Sequence, residues 1–91
     1  MLNLSKIEEM GEESGREEAS DDFPNLPIVS QLSQEQYKQW RRILTRYARG
    51  RAQGDIYALR GKAARIFAQN WVMGYIADCS LHEREGMLEE E

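Results

Sequence analysis

Cysteine is nearly missing from this chain: Cys79 stands alone among 91 residues, so no disulfide can close within the molecule. That excludes a disulfide-stapled secreted scaffold and fits a reducing compartment. Long hydrophobic runs are missing as well. The longest apolar stretch, near Trp71 to Ala77, is interrupted by Gly74 and falls far short of the ~20 residues that a membrane span needs. The first residues, Met1 to Lys6, run straight into acidic sequence without the apolar stretch of a signal peptide. A soluble, cytoplasmic protein without membrane contact is expected. Metal ligands are scarce, since one Cys and one His fall short of a structural zinc set. Gly50-Arg51-Ala52-Gln53-Gly54 lacks the Lys-Ser/Thr pair of a phosphate-binding loop. No cofactor is expected.

Charge is what the sequence has, and it is sorted along the chain. Residues 1–22 hold eight acids and two bases, a net of -6. Residues 23–82 hold nine bases and three acids, a net of +6. Residues 83–91 hold five acids and one base, a net of -4. This suggests an acidic tail (1–22), a helical domain (23–82) and an acidic C-terminal tail (83–91). The first tail is rich in Glu, Ser and Gly with no aromatic residue, a composition that favours disorder. Most of Leu2, Leu4, Ile7 and Met10 share one side of a short helix, and the alternative reading of this first part is that such a helix docks on a partner or on the core. Residues 23–29 contain Pro24 and Pro27, which disfavour helix before them. Phe23, Leu26, Ile28 and Val29 are then placed along the domain as an apolar strap.

The first helix has a clear start. Ser33 with Gln36 fits a capping box, and Leu32 with Tyr37 a hydrophobic staple. Gly50 is the stop signal, so the helix is expected over about 34–49. Its apolar set, Tyr37, Trp40, Ile43, Leu44, Tyr47 and Ala48, covers an arc of about 140°. Lys38, Arg41, Arg42, Arg46 and Arg49 cover a similar arc opposite. A second helix is expected over about 55–80, with Asp55 as its cap and a break or kink at Gly61. From Ala63 to Ala77 it is apolar nearly all round, so it needs burial on more than one side. The first helix and the strap leave part of it bare. The fold class is therefore all-α, two main helices with disordered acidic ends, completed by dimerisation. Phe67, Trp71, Val72, Tyr75 and Ile76 are the self-association residues.

The functional candidates follow from these faces. Lys38, Arg41, Arg42, Arg46 and Arg49, extended by Arg51, form a basic surface for a partner or for nucleic acid. Its competing readings are a solvated face or a dock for the acidic tails. Trp40, Trp71, Tyr37, Tyr47, Tyr57 and Tyr75 sit at helical spacing and belong to the core before they belong to base stacking. Asp78, Cys79, Ser80 and His82 are the one cluster of catalytic residue types. It lacks an orienting group and an oxyanion donor, so an enzyme is not expected. The sequence points to a non-enzymatic small regulatory or adaptor protein acting through protein–protein interaction, as a homodimer or with a heterologous partner. The alternative is a nucleic-acid-binding protein using the basic face.

Overall fold

The computed structural model of the chain describes residues 3–22, 26–54 and 56–89, with side chains as far as Leu81. Among the described residues there are three α-helices and no strand: α1 (Leu4–Asp22), α2 (Gln34–Gln53) and α3 (Gly61–Glu89). A single 3-10 turn at Val29–Gln31 precedes α2. The all-α class is as the periodicity indicates. The arrangement differs from the expected one in how α3 gains its cover.

α3 is the central element. Phe67, Trp71, Val72, Tyr75 and Cys79 are buried along it. α2 forms one wall and runs antiparallel to α3: Trp40 lies beside Tyr75 (centroids 6.2 Å apart), and Tyr47 beside Trp71 at 5.4 Å. Leu44, Ala48 and Ala52 are the residues that α2 buries. The Ser33 capping box is formed, with the Gln36 amide donating to Ser33 Oγ at 3.1 Å and the Ser33 amide to Gln36 Oε1 at 2.9 Å. The helix continues through Gly50 to Gln53, past the expected stop, because the fully buried Ala52 anchors its last turn.

α1 forms the second wall, where a disordered tail was expected. It runs parallel to α3, with Gly11 against Phe67, Gly15 against Trp71, and Ser20 near Asp78. Its contact face is Ile7, Gly11, Ser14, Gly15 and Ala19. These side chains are mostly small, so little apolar surface was visible in the sequence. The smallness is what lets the two backbones come close, exchanging side-chain contact for backbone contact at high packing density. A Cβ added at Gly15 would fall 2.0 Å from the Trp71 carbonyl oxygen, and one at Gly74 would fall 2.4 Å from that of Glu12. Both glycines are therefore required by the approach. The C-terminal half of α1 is tied down by three hydrogen bonds. Tyr75 donates to Asp22 Oδ2 at 2.7 Å, Tyr47 to Glu18 Oε1 at 2.6 Å, and Ser20 to Asp78 Oδ2 at 3.1 Å.

The second helix begins at Gly61 and not near 55. Gly61 has φ +59° and Ala58 φ 47°, so the chain turns through left-handed backbone before α3 starts. Leu59, nearly fully buried, plugs this turn, and its amide donates to the Ala52 carbonyl at 2.8 Å. Asp55, the expected cap, lies outside the described residues. At the other end α3 continues to Glu89, through the stretch expected to fray. Of the strap, Leu26 and Val29 pack on the core while Ile28 is exposed; Phe23 lies outside the described residues.

Candidate polyanion-binding surface

α2 presents two unlike sides because its sequence alternates them at helical spacing. Leu44, Ala48 and Ala52 turn to the core, and the cations beside them reach the exposed surface. Lys38, Arg41, Arg42, Arg46 and Arg49, with Thr45 among them, line one shallow depression on the surface. From Lys38 to Arg49 the row runs about 16 Å along the helix at 1.5 Å per residue. All five cations are exposed. Among the described residues no ion pair engages any of them. The Arg41 guanidinium sits 5.9 Å from the centroid of the Tyr37 ring, which holds one end of the row in place.

Arg51, counted with this face in the sequence, belongs elsewhere. It lies about 160° round the helix from Arg49 at 100° per residue. Its guanidinium is 3.7 Å from Glu18 Oε2, on the side where α2 meets α1. Thr45 also lines the depression without carrying charge, and its position between Arg41 and Arg49 on the helical wheel is the sequence signal for it.

α1 settles where its own acids go. Glu18 and Asp22 point inward to Tyr47, Arg51 and Tyr75. The Glu12 carboxylate pairs with Arg16 at 2.7 Å along the same helix. Glu8, Glu9, Glu13, Glu17 and Asp21 face solvent on α1. The acidic segment is thus held on a different flank of the bundle from the Lys38–Arg49 row and does not lie across it.

The self-association residues are placed in the interior. Phe67, Trp71, Val72 and Tyr75 are buried within the single chain and Ile76 is partly buried. The bare apolar surface that argued for a second copy is the surface that α1 covers. The aromatic rings likewise serve the core: Trp71 stacks on Tyr75 at 5.2 Å, and Tyr57 lies 4.6 Å from Phe67.

Cys79 is buried, and burial pushes its thiol up to about 11, with Asp78 and Asp22 adding to the shift. It is a protonated thiol at neutral pH, a poor nucleophile. The His82 side chain lies outside the described residues. No group of three or more potential metal ligands occurs among the described residues, and none of their helices is long and apolar enough to cross a membrane. No protein-family model, no curated protein and no solved structure matches this chain.

Proposed function

We propose that this chain is a non-enzymatic small regulatory or adaptor protein that works by docking, and that its docking surface is the basic face of α2. The observation that carries the reading is the row of five exposed cations lining one depression, with the acids of α1 held on another flank. A row of like charges separated by about one helical turn is mutually repulsive and contributes nothing to folding. Its complement is a surface with negative charge at similar spacing. Cys79, as a buried and protonated thiol, lends no support to a nucleophilic role.

The test uses the full chain at low salt against two polyanions, poly-glutamate and a mixed-sequence DNA duplex. The wild type is expected to bind at least one of them, and Arg42→Glu with Arg46→Glu is expected to abolish binding while leaving the circular dichroism spectrum unchanged. Failure of the wild type to bind either polyanion rules the surface out.

A second reading, protein–protein contact through α3, is favoured by its outward stripe. Met73 is 63% exposed and Leu81 49% exposed, with Ile66 and Ala77 on the same side. This stripe takes the place of the five interior residues as the surface offered to a second copy. Sedimentation equilibrium checks it: a dimer that Met73→Glu dissociates supports this reading, and a monomer at micromolar concentration removes it.

A further inference from the structure

The basic row does not end at α2. A second shallow groove is lined by Arg49 and Gln53 of α2 and by Gly61, Lys62, Ala64, Arg65, Ile66 and Gln69 of α3. Arg49 lines both depressions, so the two adjoin at its side chain. Lys62 and Arg65 are exposed, and no acidic residue lines either depression. Seven cations from two helices thus form one surface. Lys62 and Arg65 come beside Arg49 because the Leu59 amide donates to the Ala52 carbonyl and the Ala58 amide to that of Gly54, which holds the end of α2 and the start of α3 together.

We infer that this two-helix surface binds the phosphate backbone of a nucleic-acid duplex, without reading its bases. The inference rests on the docking role of the α2 face. Three features choose this partner. The depression on α2 is lined by cations and one threonine, with no large apolar anchor of the kind that dominates protein–protein contacts. Five of the seven cations are arginines, whose planar fork matches phosphate oxygens in pairs. No aromatic ring is among the residues that line either depression: the half-buried Tyr37 ring is covered by the Arg41 guanidinium, and Trp40, Tyr47, Trp71 and Tyr75 are engaged with one another between the helices. A surface without stacking platforms suits a duplex, whose bases are already stacked, and not a single strand.

The net charge of -4 does not oppose this. The bundle is 26 Å across its middle dimension, while charges are screened over about 10 Å at 0.1 M salt. A phosphate at the basic face is governed by the cations it touches.

The experiment measures binding of the full chain to a fluorescent 20-base-pair duplex between 25 and 200 mM salt, with a single strand of the same length and poly-glutamate as competitors. The expected plot of log affinity against log salt has a slope of about -4.5 to -6.3, for five to seven phosphate contacts at about 0.9 each. Lys62→Glu with Arg65→Glu should weaken binding tenfold or more and flatten the slope by about 2. Arg42→Glu with Arg46→Glu should weaken it at least as far. Thermal melts of each variant establish that it is folded, and the milder Lys62→Gln with Arg65→Gln serves if a reversal is not. Duplex binding that is insensitive to Lys62 and Arg65 overturns the two-helix surface and leaves the α2 role standing. Stronger competition by poly-glutamate or by the single strand overturns the duplex and likewise leaves the α2 role standing. No binding to either polyanion overturns both.

Discussion

Gly11, Gly15 and Gly74 decide how closely α1 and α3 approach. Helix propensity alone says that each costs about 1 kcal/mol relative to alanine. Contact says the reverse, because a Cβ at Gly15 would sit 2.0 Å from a backbone oxygen that cannot swing away. Overpacking of this kind costs about 1–3 kcal/mol and exceeds the propensity gain. Gly15→Ala is therefore expected to destabilise the chain, with a net loss of up to about 2 kcal/mol in denaturant melts. Gly50 is the control. It lies inside α2 with nothing within 4 Å of its would-be Cβ, so Gly50→Ala should stabilise by up to about 1 kcal/mol. Equal effects at the two positions would show that α1 does not touch α3.

Tyr75 and Cys79 make the core sensitive to alkali. Burial and the Asp22 hydrogen bond raise the Tyr75 phenol well above 10.0, and burial raises the Cys79 thiol from 9.0 to about 11. Both groups hold their protons longer in the folded state. Their contribution to stability is complete below the unfolded values and is lost as pH rises from about 9 for Cys79 and about 10 for Tyr75. Melting temperature should fall steadily above pH 9. Tyr75→Phe should remove part of the fall that begins near 10, the Tyr47 phenol held up by its Glu18 hydrogen bond keeping the rest, and should lower stability at neutral pH, since Asp22 loses its donor. A flat profile between pH 8 and 11 would contradict the placement of both groups.

At the scale of elements, α1 is a wall of the core and not a tail. A chain beginning at residue 23 exposes the flank of α3 that holds Phe67 and Trp71. Such a truncation should bind hydrophobic dyes strongly and lose its cooperative thermal transition. A truncated chain that melts as sharply as the full one would mean that α1 contributes nothing. Residues of α1, outside the 23–82 segment that charge alone marked out, pack on α3.

The sequence made α2 legible because its start has a side-chain signature, Ser33 and Gln36, and its apolar positions recur with period 3.6. The apolar girth of α3 was legible, and so was its need for two walls. The second wall was legible only as the alternative of a short docked helix through Ile7 and Met10, and its length to Asp22 was not. Hydrophobicity is the usual signal of a packing face, and α1 packs through absence of side chain. Ile7, Gly11, Gly15 and Ala19 do recur every four residues, which was the available signal. The site divides in the same way. The five cations of α2 share a local period, and Arg51 was separable from them by counting degrees. Lys62 and Arg65 join them through a turn whose direction depends on positive φ at Ala58 and Gly61, and no local spacing announces that.

At the scale of the molecule, the described residues separate charge in space as they do in sequence. α1 carries its acids on one flank, and α2 with the start of α3 carries cations on another. Overall charge is therefore a poor guide to what the basic flank will bind, and binding should respond steeply to salt. One measurement reaches both the fold and the function: a two-dimensional proton–nitrogen NMR titration of the full chain with the DNA duplex. The account predicts dispersed, helical amide signals for Gly11 to Ala19 in the free protein. It further predicts shifts on titration confined to residues 38–49 and 61–69, with none along Glu8 to Glu17. Random-coil signals for α1, or shifts that follow its acidic face while the basic row stays silent, would contradict it.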